Sequence, residues 1–457
     1  MKEIANETTR RFNRMQWRML FATMIGYTLF YFMRKNFSFA MPGLQQDCCI
    51  SKSMLGNFLF WGGIVYGLSK FLNGIIGDKV NPRRMLCFGL LACTLVNVAF
   101  GFAPLVATSP SSLAWTFGIL LVVNQFFQGT GFPPCAKLIA FWIPPKELAT
   151  KMSVWNTSHS IGGGLVAKIC GIIMGLGVIG AANQGVGMWR WCFWSMAALG
   201  FLGLVLMIFW LPGTPKEEGL PDLTGTEVGE GRDEVHGEET HNSQLSTHNS
   251  ALHMVFLNPV IWMLGVANFT INAVRALIAD WGPTMLQEAK GFDPGSTGTV
   301  IMLFEFAGIA GMLFAGWATD RFFGGRAPRL CVFLMALTAG LLAAFWFLPA
   351  GVAGATALCL GGFCLYGPQA LTGVTATNIS TKHFAGTSIG FISLFSYVGA
   401  SVAGKVCGNL AQSFGGWRLP LLVMVATAAV GAVVFLCLWC VRANAYATSG
   451  TSPEKGA

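Results

Sequence analysis

Charged side chains are scarce in this chain of 457 residues. Asp, Glu, Lys and Arg together fill 11% of the positions, whereas hydrophobic residues fill 54% and the mean hydropathy is +0.58. Soluble globular domains carry about 25% charged residues, so this composition excludes an ordinary soluble protein. The sequence predicts an integral membrane protein, because its apolar stretches of about 20 residues suit helices that cross a bilayer.

Signatures of several other protein classes are also missing. The sequence holds no phosphate-binding loop, no nucleophile–base–acid arrangement and no cluster with metal-ligand spacing. Thirteen cysteines lie mostly inside apolar stretches, where they are typical of helix packing. A β-barrel is disfavoured because its strands would alternate over about ten residues, whereas these apolar runs are continuous. We therefore expect neither an enzyme nor a protein with a cofactor or metal.

The apolar stretches predict twelve membrane-spanning helices. They begin near Trp17, Met54, Met85, Leu113, Met152, Trp189, Ala251, Gly298, Arg329, Val352, Gly386 and Trp417. In this arrangement 18 of the 29 Lys and Arg residues fall on the side that holds both termini, and only four fall on the opposite side. The positive-inside rule then places both termini in the cytoplasm, so the net charge of +9 reports topology and not nucleic-acid binding.

An acidic, polar stretch divides the spans into two sets of six. We assign residues 213–253 to a flexible cytoplasmic linker between an N-terminal bundle (1–212) and a C-terminal bundle with a short tail (254–457). The two sets repeat each other, since the run from Ala167 to Gly171 is echoed from Gly404 to Gly408. Parallel repeats predict an all-α fold of two pseudo-symmetric halves, with a substrate site near mid-membrane.

Short charged loops follow the second and the eighth spans. Asp78, Arg83 and Arg84 lie in the first loop, and Asp320 and Arg321 lie in the second. Acidic and basic residues of this kind can form a latch that holds one conformational state, or they can simply set topology. The sequence leaves both interpretations open.

Two arginines inside apolar spans are the strongest candidates for a binding site. Arg34 follows Tyr31 and Tyr27 by three and seven residues, and Arg275 follows Asn272 and Asn268 at the same offsets. A charge near mid-membrane costs roughly 3 kcal/mol unless it faces water or a partner, so it indicates a functional site. The guanidinium fork matches two phosphate oxygens, which predicts a phosphate-bearing substrate.

Other polar side chains inside spans complete the predicted site. Five of the six tyrosines lie within spans, and Tyr66 is followed four residues later by Lys70 on the same helix face. His159 follows Asn156 by three residues and precedes three glycines. The candidate substrate-binding residues are Arg34, Arg275, His159, Lys70, Tyr27, Tyr31, Tyr66, Asn156, Asn272, Tyr366 and Tyr397. The pattern does not show whether Lys35, Lys137, Lys168 and Lys405 face the same cavity.

Several motifs resemble one transporter family. They include Tyr31 to Phe37, Gly131 to Cys135, Val154 to His159 with its triple glycine, Arg275 to Thr284 and Tyr366 to Pro368. Together they resemble the organophosphate:phosphate antiporters of the major facilitator superfamily, and the segment from Tyr397 to Ser401 resembles the bacterial hexose-phosphate transporter and sensor branch. The paired charged loops resemble that superfamily's signature loop.

The resemblance implies a rocker-switch antiporter that exchanges a sugar phosphate, best guessed as glucose-6-phosphate, for inorganic phosphate. It implies that Arg34 and Arg275 grip the phosphate while Lys70, His159 and several tyrosines line the pathway. It also implies a multi-pass protein of the bacterial inner membrane, which we expect to be a monomer. Ala400 and Gly404 occupy positions where the best-known hexose-phosphate carriers have an acid and a lysine.

Three alternatives remain at this point. A membrane sensor of external hexose phosphate would need the same site and a partner kinase. A glycerol-3-phosphate antiporter would differ only in substrate. A proton-coupled drug exporter is disfavoured, because Asp280 and Glu305 are the only clear acids inside the spans.

Overall fold

The computed structural model describes residues 2–179, 187–221, 255–379 and 385–441. Within these ranges the chain forms fourteen α-helices. They are α1 (Lys2–Cys48), α2 (Lys52–Lys79), α3 (Pro82–Val106), α4 (Pro110–Gln128), α5 (Phe132–Trp142), α6 (Pro145–Ile179), α7 (Trp189–Trp210), α8 (Pro259–Asp280), α9 (Gly282–Lys290), α10 (Pro294–Phe322), α11 (Ala327–Phe347), α12 (Val352–Ile379), α13 (Ala385–Ser413) and α14 (Arg418–Cys437). The prediction of an all-helical membrane protein is confirmed.

Eleven helical stretches of the described chain are long and apolar enough to cross a membrane. Helices α4 and α5 form one of them, Pro110–Trp142. Helix α1 is not among the eleven, because the middle of this 47-residue helix carries tyrosines and two cations. With α1 counted as a further span the number equals the twelve predicted, and the predicted start near Ala251 lies outside the described residues.

Local sequence explains where several helices begin and end. The side chain of Ser51 accepts a hydrogen bond from Met54 N at the start of α2, and Asn81 does the same for Arg84 N at the start of α3. Such caps satisfy amide groups that have no partner inside the helix. Between α4 and α5 the run Gly129-Thr130-Gly131 interrupts the helix directly before Phe132. This break sets the position of Phe132 at the first turn of α5.

The chain packs into two compact units. The first contains residues 1–236 together with 278–306 and 404–417, and the second contains 237–277, 307–403 and 418–457. The first unit thus includes two short segments that follow the predicted linker. The division proposed from the sequence, into two bundles (1–212 and 254–457) joined by a linker, stays a prediction.

The start of the predicted linker is packed against the first unit. Gly213 N donates to Glu218 Oε1, and Gly213 O accepts from Trp142 Nε1 at 2.8 Å. Arg11 Nη2 donates to Glu218 O. Residues 222–253 lie outside the described chain.

An arginine near each charged loop binds a backbone carbonyl at the end of another helix. Arg83 donates to the carbonyl of Ile208 near the end of α7, and in the second unit Arg329 Nε donates to Trp439 O, just after α14, at 3.2 Å. Each arginine therefore binds carbonyls near a helix C-terminus, where positive charge is favoured. Arg84, Asp320 and Arg321 are exposed, and the side chain of Asp78 lies outside the description. Their role as a latch stays a prediction.

All thirteen cysteines lie in the described residues, and all are free thiols. Eight are buried, which agrees with the packing role expected from the sequence. Cys49, Cys437 and Cys440 are exposed.

Candidate functional site

The first candidate site is built on one face of α1. Tyr27, Tyr31 and Arg34 are four and three residues apart, so their side chains share that face. The guanidinium carbon of Arg34 lies 3.8 Å from the ring centroid of Tyr66 on α2 and 5.6 Å from that of Tyr31. Stacking of this kind holds a cation without neutralising its charge.

Helix α2 contributes the second cation of this site. The ammonium group of Lys70 lies 4.1 Å from the ring centroid of Phe132 at the start of α5. Tyr66 is one helical turn before Lys70, is only 3% exposed, and interacts through its hydroxyl with Tyr27 and Arg34. Two cations therefore rest on aromatic rings within one compact unit.

Helix α6 contributes two further rings, which pack on the tyrosines of α1. Trp155 and His159 are four residues apart; Trp155 packs on Tyr27 at 4.8 Å between ring centroids, and His159 packs on Tyr31 at 5.8 Å. The Nδ1 atom of His159 bonds with the backbone oxygen of Asn156. This bond orients a buried imidazole next to the face that carries Arg34.

A glycine permits the close approach of α6 to α1. A Cβ atom at Gly162 would lie 2.7 Å from Tyr31 Cβ and 3.0 Å from the carbonyl oxygen of Thr28. Thr28 Oγ1 also donates to Ser158 O at 3.2 Å. The triple glycine noted in the sequence thus sets the distance between Tyr31 and the helix that carries His159.

The second candidate site lies in the second compact unit. Arg275 Nε donates to the hydroxyl of Tyr366 at 2.8 Å, and its guanidinium carbon lies 4.7 Å from the centroid of the same ring. Tyr366 is fully buried and packs against Gly308, where an added Cβ would lie 2.7 Å from its ring. One tyrosine therefore contacts Arg275 through both its ring and its oxygen.

Asparagines one and two turns before Arg275 face the packed interior of this unit. Asn272 Nδ2 donates to Asn268 O at 2.9 Å, and Asn268 Nδ2 donates to Ile392 O on α13 at 3.0 Å. Tyr397, further along α13, is partly exposed. The asparagine pair thus joins α8 to α13 next to Arg275.

The lysines whose direction the sequence left open have specific partners. Lys35 Nζ forms an ion pair with Asp280 Oδ1 at 2.5 Å, and Lys168 Nζ donates to Thr299 Oγ1 at 2.7 Å. Lys137 Nζ donates to Gly77 O at 2.6 Å, and Lys405 Nζ lies 5.2 Å from the ring centroid of Phe60. Lys35 therefore ranks below Arg34, Lys70 and Arg275 as a ligand for an anion, because Asp280 neutralises its charge.

Phe132 and Trp155 contribute to the first site but are absent from the residues proposed from the sequence. Phe132 lies directly beneath Lys70, but a phenylalanine in an apolar span carries no distinguishing signal. The Gly-rich break before the Pro133-Pro134 pair, which starts a new helix there, is the one feature that could have drawn attention to it.

Comparisons with known proteins agree with this fold. The sequence profile of the Major Facilitator Superfamily matches residues 23–404. A D-xylose–proton symporter of known structure covers 93% of this chain, and this chain covers 98% of it, with a TM-score of 0.73 and 14% identity. At that identity the likeness concerns the fold alone.

Similar sequences carry more specific names. The glycerol-3-phosphate transporter of Bacillus subtilis is 34% identical, with 93% of each chain covered. A probable hexose phosphate transport protein of Chlamydia pneumoniae is also 34% identical, over 96% of this chain and 95% of that protein. The membrane sensor protein UhpC of Escherichia coli is 35% identical, with 92% of each chain covered.

Proposed function

Because this chain belongs to the major facilitator superfamily, among relatives named for organophosphate transport and sensing, we propose that it exchanges a sugar phosphate for inorganic phosphate. The exchange proceeds by rocker-switch alternating access in a bacterial inner membrane, with both termini in the cytoplasm. Glucose-6-phosphate is the proposed organic substrate. The observation that carries the proposal is the aromatic support given to Arg34, Lys70 and Arg275 inside apolar helices.

A phosphate ester is the ligand that this chemistry suits best. Cations on aromatic faces keep their charge, and in apolar surroundings their attraction for an anion exceeds its value in water. Arginine can offer two parallel N–H donors to two oxygens of one phosphate, whereas lysine offers a point charge. The residues proposed to bind substrate are Arg34, Lys70, Arg275, His159, Tyr27, Tyr31, Tyr66, Asn156, Asn272, Tyr366 and Tyr397.

The sequence-based hypothesis that both arginines serve one phosphate is part of this proposal. A single bound dianion would offset the repulsion between two like charges and so favour closure of the loaded carrier over the empty one. Exchange should therefore be faster than net efflux.

Transport by purified protein in vesicles tests the proposal. Vesicles loaded with inorganic phosphate should take up labelled glucose-6-phosphate, and vesicles without internal phosphate should take up far less. Efflux of labelled phosphate should rise when glucose-6-phosphate or phosphate is added outside. Equal efflux with and without an external substrate would argue for a uniporter.

Two alternatives have support among the relatives. Similarity to the sensor UhpC favours a sensor that signals to a partner kinase, and in that case the protein would bind glucose-6-phosphate without exchanging it. Similarity to the Bacillus transporter favours glycerol-3-phosphate as the substrate. Competition between glucose-6-phosphate and glycerol-3-phosphate for uptake of labelled phosphate separates the second alternative from our proposal.

A further inference from the structure

Three buried amide side chains converge on the backbone of α1 beside Arg34. They are Asn97 on α3 and Asn124 and Gln128 on α4, which we name the amide cluster; each is at most 3% exposed. Asn124 Nδ2 donates to Met33 O at 2.8 Å, and Asn97 Nδ2 donates to the same oxygen at 3.3 Å. Gln128 Nε2 donates to Phe30 O at 2.9 Å.

These carbonyl groups already have partners within the helix. In an α-helix, Phe30 O accepts from the amide of Arg34, and Met33 O accepts from the amide of Phe37. The extra donors therefore do not repair a broken helix. They instead bind the second lone pairs of two carbonyls connected to Arg34: Phe30 O, which accepts from the amide of Arg34, and Met33 O, which belongs to the peptide bond that joins Met33 to Arg34.

The amide cluster is itself fixed by further hydrogen bonds. Asn36, two residues after Arg34, donates through Nδ2 to Asn97 Oδ1 at 2.7 Å and to Cys192 O on α7 at 3.2 Å. Asn97 Nδ2 also donates to Cys93 O at 2.9 Å. Asn36 and the amide cluster thus link α1 with α3, α4 and α7, and the bonds to Asn36 and Cys93 orient the side chain of Asn97.

From this geometry we propose that the amide cluster positions Arg34 for phosphate by fixing the rotation of α1 about its axis. The inference rests on the proposed function, because it assigns Arg34 to phosphate. Asn97, Asn124 and Gln128 are positioning residues, since they contact the backbone of α1 and not the ligand. The close contact of Gly162 with Tyr31 limits the same helix segment from another direction.

The rotation of α1 must be fixed because the arginine side chain is long. A small rotation of α1 becomes a larger displacement at the guanidinium, and a two-point contact with phosphate tolerates little misalignment. Loss of the cluster should weaken phosphate binding even where the helices stay assembled. A cluster that only holds helices together would instead lower thermal stability and leave affinity unchanged.

The first experiment compares leucine and methionine variants of the cluster. Asn124→Leu and Gln128→Met keep the approximate shape of each side chain and remove its donor. Thr23→Val is the matched control, because Thr23 is fully buried on α1 and its hydroxyl donates to Met19 O and Leu20 O of the same helix. Each protein is tested for the Kd of inorganic phosphate, the KM and kcat of exchange, and the melting temperature in detergent.

We expect Asn124→Leu to raise Kd and KM together by about tenfold, with kcat within about twofold of wild type. Gln128→Met should raise both by roughly threefold, because Phe30 lies one turn before Arg34. Thr23→Val should match wild type in all three. A lower melting temperature with unchanged Kd and KM in Asn124→Leu and Gln128→Met would overturn the inference.

A double-mutant comparison tests the inference even if Asn124→Leu does not fold. Tyr66→Leu removes the ring beneath Arg34, and Tyr366→Leu removes the corresponding ring beside Arg275. The effect of Gln128→Met on Kd should shrink in the Tyr66→Leu background and persist in the Tyr366→Leu background, because coupling is confined to shared contacts. Equal effects in both backgrounds would contradict positioning of Arg34.

Failure of the proposed function has a different signature. If wild-type protein does not bind phosphate at all, both the proposed function and the inference are wrong. If it binds phosphate without exchanging it, antiport is wrong, and the Kd values alone decide the inference.

Discussion

Arg34 and Arg275 occupy similar sequence settings, but the protein holds them differently. Arg34 stacks on the face of Tyr66, and the helix backbone beside it is bound by buried amides from α3 and α4. Arg275 contacts a single tyrosine, both through the ring of Tyr366 and by donating to its hydroxyl. Each arginine thus contacts a tyrosine ring and its hydroxyl, and what distinguishes the Arg34 site is the set of buried amides bound to the helix backbone beside it.

The same contact between a cation and a tyrosine is therefore supported differently by the surrounding helices. Beside Arg34, buried amides bind the backbone that carries the cation, so we expect changes in those amides to alter phosphate binding through the rotation of α1. Beside Arg275, one tyrosine contacts the cation through its ring and its hydroxyl, so we expect phosphate binding there to depend most on Tyr366.

Replacement of the arginines themselves should have the largest effects. Arg34→Lys and Arg275→Lys keep the positive charge but lose the planar fork, so each should lower exchange by about 100-fold while membrane insertion is retained. Uptake of labelled phosphate into loaded vesicles measures the loss. Near-normal exchange in either variant would remove that arginine from the proposed site.

Removal of single tyrosine hydroxyls should separate the two modes of support. Tyr366→Phe deletes the acceptor of the Arg275 hydrogen bond and should raise the KM for phosphate by about tenfold. Tyr66→Phe removes a hydroxyl that interacts with Tyr27 and Arg34 but keeps the ring on which Arg34 stacks at 3.8 Å, so its effect should be smaller, roughly threefold. The KM values of the two variants are measured side by side, and a larger increase for Tyr66→Phe would contradict this expectation.

Alanine at the two close-packed glycines should distinguish stability from affinity. Gly308→Ala pushes on the ring of Tyr366 and should raise the KM about threefold, together with a loss of roughly 1 kcal/mol in stability. Gly162→Ala pushes on Tyr31 Cβ and on the backbone at Thr28, so it should mainly lower the melting temperature. Its KM should rise by less than about twofold, because the amide cluster still binds Phe30 O and Met33 O beside Arg34. Equal changes in KM for Gly308→Ala and Gly162→Ala would contradict this expected difference.

The smallest effect should come from joint removal of the charges beside the first site. Lys35 follows Arg34 in sequence but forms an ion pair with Asp280. The double variant Lys35→Gln with Asp280→Asn should therefore keep the KM for phosphate within about twofold of wild type, whereas each single variant leaves one charge uncompensated and should melt at a lower temperature. A large rise in KM in the double variant would show that Lys35 itself serves the substrate.

Much of the fold could be predicted from the sequence, because the length of an apolar stretch directly indicates a membrane-spanning helix. The shared face of Tyr66 and Lys70 also follows from their spacing. The partners of the charges did not follow. Lys35 pairs with a residue 245 positions away, and Arg83 binds the end of α7, contacts that depend on how helices pack and not on spacing.

The amide cluster shows a second limit of sequence reasoning. Asn97, Asn124 and Gln128 lie within apolar spans, where polar side chains commonly join neighbouring helices. Nothing in the sequence indicates that all three point at two carbonyls of α1. Whether the candidate residues bind phosphate stays a prediction, which the variants above address.

The free cysteines of this protein can report its topology by chemical labelling. Burial, with a smaller contribution from Asp47, raises the pKa of the Cys48 thiol to about 11, so at neutral pH it is almost wholly protonated and slow to react. Its neighbour Cys49 is exposed, as are Cys437 and Cys440 near the other end of the described chain. The proposed orientation, with both termini in the cytoplasm, predicts that a membrane-impermeant maleimide reaches Cys49 only from the periplasmic side and Cys440 only from the cytoplasmic side. Under that proposal, wild-type protein carries one sidedness marker for each face of the membrane.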